Sequence, residues 1–158
     1  MWLGNVATLQ ALPPGVDAVV SLCRVHDDDL PVGVEQIDVR LIDDVGSDDN
    51  ASLDFVLTDT TQFIEQLRLE GRTVFLHCVA AQSRTPTVAA LYGARLRNVS
   101  ADEALRDITA VLPRAYPNSA FRAALQRLAA GPDPGILSQQ AARLRSCIPA
   151  SERQATDD

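Results

Sequence analysis

The chain has 158 residues, of which 46% are hydrophobic and 22% charged, and its formal net charge is −7. This length and balance predict one soluble globular domain, and the negative charge argues against a nucleic-acid partner. The apolar stretch 88–94 is far shorter than the roughly 20 residues of a membrane-spanning helix, and no secretory leader is evident. We therefore expect a cytoplasmic protein with no membrane partner.

Hydrophobic periodicity and helix-capping residues predict strands and helices that alternate along the chain. In chain order they are a strand at Ala18–Leu22, a strand at Ile37–Ile42, a helix at Leu53–Leu69, a strand at Thr73–His77, a helix at Thr87–Leu96, a helix capped by Ser100 that runs through Leu112, and a helix capped by Asn118 that ends at Gly131. Glu103, three residues after Ser100, completes a capping box. This alternation favours an α/β fold with a central, largely parallel sheet flanked by helices.

A linker-like segment of glycine and proline, 131–135, divides the chain into two unequal parts. Residues 1–131 are predicted to form the main domain, and residues 132–158 a C-terminal helix and tail. Within the second part, Ile136–Ser146 has the pattern of a short amphipathic helix. The residues from Pro149 onward are polar, which is typical of a mobile chain end.

The three cysteines and two histidines do not have the spacing of a metal site. Only His77 and Cys78 are close together, so we expect no metal and no cofactor. An odd number of cysteines without a secretory leader favours reduced thiols. Cys23 lies in an apolar stretch and is interpreted as a packing residue, with a resolving thiol that protects Cys78 as a disulfide as the alternative.

The segment FLHCVAAQSRT, residues 75–85, joins an apolar strand to a helix through a loop of small residues. Cys78 begins this loop and Arg84 ends it. The spacing alone carries little weight, because Cys147 and Arg153 share it with no strand before them. A strand, loop and helix in this order direct backbone N–H groups at one point, where an anion binds. The same donors would stabilise a thiolate on Cys78 as a nucleophile, and Arg84 can hold two phosphate oxygens.

The segment HCVAAQSRTPTVAALYGARL, residues 77–96, resembles the signature of the cysteine-dependent protein tyrosine phosphatases, specifically the dual-specificity branch. His77, Cys78, Arg84 and Thr85 match the family pattern His-Cys-x5-Arg-Ser/Thr. The resemblance covers about residues 2–130, and it implies that the family's first edge strand is shortened or missing before Met1. Further segments that resemble the family are Trp2–Asn5, Val19–Leu22 and Pro117–Phe121.

The resemblance implies dephosphorylation in two steps. Cys78 attacks phosphorus while a carboxylic acid protonates the leaving oxygen, and water then cleaves the phosphocysteine. The Thr85 hydroxyl would ease departure of the thiolate. The residues implied to bind phosphate are Val79, Ala80, Ala81, Gln82, Ser83 and Arg84.

The general acid is expected just past the carboxyl end of an earlier strand. The segment VRLID, residues 39–43, resembles the strand and aspartate of the family, which makes Asp43 the predicted acid and Asp44 the alternative. His77, at the end of an apolar strand, is interpreted as a residue that orients the loop by a hydrogen bond.

Ala81 occupies a position where the family usually has glycine, and a positive φ there would cost an alanine about 1 kcal/mol. This residue supports the alternative of a catalytically impaired module that binds phosphorylated partners without turnover. The low-molecular-weight phosphatases are disfavoured because Cys78 lies mid-chain, and lipid phosphates because residues 79–83 include no basic residue. The expected substrate is a phosphorylated protein or a small phosphoester. The sequence leaves open whether phosphotyrosine or phosphoserine and phosphothreonine are preferred.

Overall fold

The structure, a computed structural model, describes residues 1–25, 33–44 and 52–129. Within these residues four parallel strands form one sheet in the order β1-β4-β2-β3. The strands are β1 (Trp2–Asn5), β2 (Ala18–Ser21), β3 (Glu35–Asp38) and β4 (Val74–Cys78), and the helices are α1 (Leu53–Leu69), α2 (Arg84–Arg97), α3 (Ala101–Val111) and α4 (Ser119–Ala129), with a 3-10 helix at Val6–Ala11. The predicted α/β fold with a parallel sheet flanked by helices is confirmed.

The alternation of side chains along β2 and β4 assigns their residues to two faces of the sheet. Val20 and Leu76 belong to the larger core, to which all four α-helices contribute buried side chains. Val19 and Phe75 face the other way and pack with Leu9 of the 3-10 helix. Every residue of β2 and β4 is buried, as expected for central parallel strands covered on both sides.

The predicted helix at Leu53–Leu69 is observed with both ends in place. Helix α2 begins at Arg84, three residues before the predicted start at Thr87. The earlier start is possible because Pro86 falls in the first turn, where its missing N–H removes no helical hydrogen bond. As a result, Arg84 lies at the N-terminus of the helix, next to the loop that follows Cys78.

Strand β3 is shorter and earlier than the predicted strand at Ile37–Ile42, so that prediction was wrong at both ends. Within the described residues β3 lies at the edge of the sheet and pairs with β2 alone, and this pairing ends at Ser21 and Asp38. One further hydrogen bond joins the Val39 N–H to the Ser21 carbonyl, at 2.8 Å. Beyond it the chain leaves the sheet as a loop and buries Leu41 in the core.

Two predicted helix caps are formed by side chains. The Ser100 hydroxyl accepts a hydrogen bond from the Glu103 N–H at 3.2 Å, and α3 follows directly. The Asn118 side-chain oxygen accepts one from the Phe121 N–H at 2.8 Å at the start of α4. Each cap satisfies a backbone donor that the first turn of its helix leaves without a partner.

The predicted helix end at Gly131, the helix at Ile136–Ser146 and the tail from Pro149 lie outside the described residues. The domain boundary at 131 and the shortened first edge strand stay predictions. Among the helices of the described ranges, none combines the length and apolar character needed to cross a bilayer.

Candidate active site

The candidate site lies at the carboxyl edge of the sheet, where β2, β3 and β4 end side by side. Cys78 is the last residue of β4 and is only 2% exposed. Just past the end of the neighbouring β2, the Leu22 N–H donates to the His77 carbonyl at 2.9 Å. Parallel strands place their carboxyl ends at one edge, and the loops that follow these strands meet there.

The loop from Val79 to Ser83 connects Cys78 to helix α2. Three of its five carbonyl groups accept hydrogen bonds from the surrounding chain: Val79 from the Val6 N–H at 3.4 Å, Gln82 from the Tyr116 N–H at 2.6 Å, and Ser83 from the Thr87 N–H at 3.2 Å. The backbone N–H groups of the loop and of the first turn of α2 are therefore the groups suited to bind an anion.

A cavity of about 480 Å³ opens between this loop and the segments around it. Its volume falls in the range of small-molecule sites. Cys78, the nucleophile predicted from the sequence, forms part of its wall. The lining residues are Asp43, Cys78, Val79, Ala80, Gln82, Ser83, Arg84, Tyr116 and Asn118.

Arg84 is anchored to the two neighbouring strand ends. One terminal nitrogen, Nη1, donates to the Leu22 carbonyl at 3.0 Å and to the Leu41 carbonyl at 3.3 Å. Nε lies 3.4 Å from Oδ2 of Asp43, and the Arg84 side chain is 16% exposed. A guanidinium fixed in this way loses little conformational entropy when its remaining N–H groups bind phosphate oxygens.

Asp43, the predicted general acid, lines the cavity and is held by three polar side chains. Its Oδ1 accepts hydrogen bonds from the Ser83 hydroxyl at 2.8 Å and from Nδ2 of Asn118 at 2.9 Å, and its Oδ2 faces Arg84. Asp44, the alternative acid, is exposed and is not among the residues that line the cavity.

Asn118 makes a contact that the sequence analysis missed, since it was identified there as a helix cap and as part of a segment that resembles the family. Its side-chain oxygen caps α4 while its amide nitrogen holds Asp43, 75 residues earlier in the chain. Its own backbone N–H donates to the Ser83 hydroxyl at 3.3 Å. Asn118 thereby ties the start of α4 to both the acid and the loop.

Thr85 and Ala81, two of the predicted site residues, are not among the residues that line the cavity. Thr85 is fully buried, and its hydroxyl has no hydrogen-bond partner within the described part of the chain. Ala81 has a φ of 55°, in the left-handed region that favours glycine. Ala81 thus has the positive φ whose cost was considered in the sequence analysis.

Comparison with known proteins identifies the family of this site. The catalytic-domain model of the dual specificity phosphatases matches residues 7–129. The chain belongs to this family. This match covers the cavity-lining residues at 43, 78–80, 82–84, 116 and 118.

Individual relatives are distant. The chain is 28% identical over 108 residues to dual specificity protein phosphatase 1 of Arabidopsis thaliana, an alignment that covers 68% of this chain and 50% of the relative. It thus spans about half the length of that curated relative. The structure of human DUSP28, 24% identical, matches with a TM-score of 0.71 over 88% of this chain and 94% of the other. A mouse putative dual specificity phosphatase, 26% identical, matches with a TM-score of 0.69 over 88% and 84% of the two chains.

In this dual specificity phosphatase domain, His77 faces the side of the sheet opposite Leu76 and the larger core. Its ring stacks on Phe75, with centroids 5.6 Å apart, and its Nε2 shares a hydrogen bond of 2.8 Å with the Ser21 hydroxyl. Both polar side chains are fully buried. His77 is not among the cavity-lining residues, and its role in orienting the loop stays a prediction.

Burial lowers the pKa of His77, and an interaction with the backbone of Cys78 offsets part of this effect. In the unfolded chain His77 therefore binds a proton with the ordinary histidine pKa of about 6.5. In the folded chain it binds a proton only at lower pH. We expect the free energy of unfolding to decrease as the pH falls through 6.5, by at most about 1.4 kcal/mol per pH unit for this group.

Denaturant unfolding of wild type and His77→Gln between about pH 7.5 and pH 5.5, one unit on either side of the unfolded pKa of about 6.5, measures this effect. The variant lacks the titrating ring and is expected to show a smaller decrease. His26→Gln removes the other histidine of the sequence and is the control. Equal pH dependence in wild type and His77→Gln would contradict the assignment.

Cys23 is buried, 5% exposed, and does not line the cavity. Burial raises the pKa of its thiol, and the Arg84 guanidinium opposes this shift. These observations agree with the packing role, and the resolving role stays a hypothesis that mass spectrometry after peroxide treatment can test. Over residues 1–25, 33–44 and 52–129, no cluster of three or more histidine, cysteine or acidic side chains is arranged to hold a metal ion.

Proposed function

We propose that the chain hydrolyses phosphate monoesters of phosphorylated proteins or small molecules through a phosphocysteine intermediate. One observation carries the proposal: a thiol, a guanidinium and a carboxylate, from Cys78, Arg84 and Asp43, line one cavity at the carboxyl edge of the sheet. Family membership supports phosphatase activity, and these three residues give that activity a nucleophile, an anion-binding group and a general acid.

In the first step the Cys78 thiolate attacks phosphorus, and the bond between phosphorus and the substrate oxygen breaks. Asp43 gives its proton to that oxygen, which leaves as an alcohol or phenol. In the second step Asp43, now a carboxylate, takes a proton from water as the water attacks the phosphocysteine. Inorganic phosphate leaves, and the thiolate and the acid are restored.

The contacts of Asp43 orient its carboxyl group at the cavity. It accepts hydrogen bonds from Ser83 and Asn118 and faces Arg84. The same carboxyl group lines the cavity with Cys78, where it can give a proton to the leaving oxygen in the first step and accept one from water in the second.

A relative provides further support for oxyanion binding. The mouse putative dual specificity phosphatase was solved in a complex with zinc tungstate. Tungstate is a tetrahedral oxyanion with the shape of phosphate. We propose that the loop from Val79 to Ser83, with Arg84, binds an oxyanion of this shape in the present chain.

The direct test is release of phenol from an aryl phosphate by the purified chain. We expect turnover that vanadate inhibits by competition and that is lost in Cys78→Ser. Turnover that persists in Cys78→Ser would contradict the proposal. Location in the cytoplasm and independence of cofactors stay predictions.

The second candidate, a module that binds phosphate without turnover, is favoured by one observation, the positive φ of Ala81. A left-handed conformation costs a residue with a Cβ about 1 to 2 kcal/mol. Tetrahedral oxyanion binding with no release of phenol would favour this candidate.

Ala81→Gly is expected to relieve this strain. Relief of the strain stabilises the folded chain by about 1 to 2 kcal/mol. The greater conformational freedom of glycine in the unfolded chain reduces this stabilisation by about 0.4 to 1 kcal/mol. Ala80→Gly is the matched control, because a positive φ is not observed at Ala80 and only the second effect applies. We expect Ala81→Gly to be as stable as wild type or more stable, and Ala80→Gly to be less stable, in denaturant unfolding.

The same pair of variants separates the two candidate functions. If wild type is an active enzyme, Ala81→Gly should change its turnover only modestly. If wild type binds phosphate without turnover and only Ala81→Gly releases phenol, the second candidate is correct.

The stability measurement has its own contradicting outcome. A loss of stability in Ala81→Gly as large as in Ala80→Gly would show that Ala81 is not strained.

A further inference from the structure

Tyr116 lies at the mouth of the cavity with most of its surface in solvent. It is among the residues that line the cavity, and it is 72% exposed. Its backbone N–H donates to the Gln82 carbonyl at 2.6 Å, which fixes the main chain of Tyr116 against the loop. The buried Pro117 follows it and restricts the chain further.

The ring of Tyr116 is held by a cation. The guanidinium carbon of Arg122, one turn into α4, lies over the ring at 5.3 Å from its centroid. This is within the distance at which a cation and an aromatic face attract each other. One face of the ring is therefore covered by Arg122, and the ring lies beside the cavity with most of its surface in solvent.

A second apolar side chain stands at the same mouth. Val79, the residue after Cys78, lines the cavity and is 54% exposed. Exposed apolar side chains that border a cavity are more informative than those scattered over a surface. Tyr116 and Val79 thus border a cavity whose base is formed by polar groups.

We propose that Tyr116, together with Val79, binds the aromatic ring of an aryl phosphate and gives the site a preference for phosphotyrosine over phosphothreonine. This inference rests on the proposed function, since it names the substrate class of the same site. The phosphate group would occupy the loop, and the carbon skeleton attached to it would extend past the mouth. An aromatic ring there can stack on Tyr116, whereas the short aliphatic chain of phosphothreonine presents no ring.

The size of the preference follows from aromatic pairing. Such a pair contributes enough beyond simple burial to change affinity about 2- to 10-fold. We expect Tyr116→Ala to lower kcat/KM for a phosphotyrosine peptide by this factor, mainly through KM. The ratio of kcat/KM between that peptide and its phosphothreonine counterpart should fall by a similar factor.

Tyr116→Phe keeps the ring and should keep the preference for phosphotyrosine. Val111→Ala is the control, because Val111 is an exposed apolar residue of α3 outside the cavity lining. The inference is overturned if Tyr116→Ala lowers kcat/KM equally for both peptides, if it changes neither, or if Tyr116→Phe loses the preference as fully as Tyr116→Ala.

A binding measurement keeps this test separate from the test of catalysis. In the Cys78→Ser background, titration calorimetry with free phosphotyrosine and with inorganic phosphate requires no turnover. Tyr116→Ala should weaken phosphotyrosine binding about 2- to 10-fold and leave phosphate binding in place. If wild type shows no turnover but Tyr116→Ala selectively weakens phosphotyrosine binding, the proposed hydrolysis is wrong and the proposed binding of an aromatic ring by Tyr116 is supported. An equal loss for both ligands overturns the aromatic site.

Discussion

Replacing Cys78 with serine is expected to lower kcat for an aryl phosphate by on the order of 10⁴-fold or more. A serine hydroxyl at this position carries almost no negative charge at neutral pH and is a far weaker nucleophile than a thiolate. Steady-state release of phenol measures the effect. Cys23→Ala is the matched control, because Cys23 is a second buried thiol that lies outside the cavity lining.

The Cys78→Ser variant should still bind tetrahedral oxyanions, because Arg84 and the loop amides are unchanged. Loss of turnover with retained binding of vanadate or phosphate separates the nucleophile from the fold. If Cys23→Ala loses as much activity as Cys78→Ser, the assignment of the nucleophile is wrong.

Asp43→Asn is expected to lower kcat by about 10²- to 10⁴-fold for an alkyl phosphate. Asparagine keeps an oxygen that can accept from Ser83 and Asn118, so the loop geometry should persist while the transferable proton is lost. For an aryl phosphate whose phenol leaves easily, the reduction should be smaller, because departure needs less help from an acid. This dependence on the leaving group is the sign of a lost general acid.

Asp44→Asn is the matched control for this prediction. Asp44 is adjacent in sequence but does not line the cavity. We expect turnover within about threefold of wild type in Asp44→Asn, far less than the loss of a general acid causes. A larger loss in Asp44→Asn than in Asp43→Asn would reverse the assignment of the acid.

The parts of the fold that depend on local patterns could be predicted from the sequence. Helix α1 has an amphipathic period over 17 residues, and both of its ends were predicted correctly. The caps at Ser100 and Asn118 depend on residues within one turn, and both form. The order Cys78, loop and Arg84 is likewise local, so the strand, loop and helix that build the anion site follow directly from the sequence.

The end of strand β3 and the path of the chain after it depend on contacts between residues far apart in sequence. Hydrophobic periodicity does not predict such contacts. Strand β3 ends at Asp38 because its partner β2 ends at Ser21, a limit set by pairing and not by the apolar residues that continue to Ile42. The strand-like run at 39–42 instead forms the loop that places Asp43 at the cavity.

The contacts that fix the candidate site are also long-range. Asn118 holds Asp43 across 75 residues, and Arg84 is anchored by the Leu41 carbonyl across 43. The segment Pro117–Phe121 was recognised by resemblance, but its contact with the acid follows only from the packing of α4 near the loop. The position of Tyr116 at the cavity mouth follows from the same packing.

The most direct test of the account is capture of the phosphorylated enzyme. In Asp43→Asn the second step lacks its base, so an aryl phosphate should phosphorylate the enzyme faster than water restores it. Rapid quenching followed by mass spectrometry of the peptide that contains Cys78 should show one added phosphoryl group on sulfur, absent in Cys78→Ser. Turnover of the aryl phosphate by wild type, with no phosphoryl group on Cys78 at any quench time in Asp43→Asn, would contradict the account.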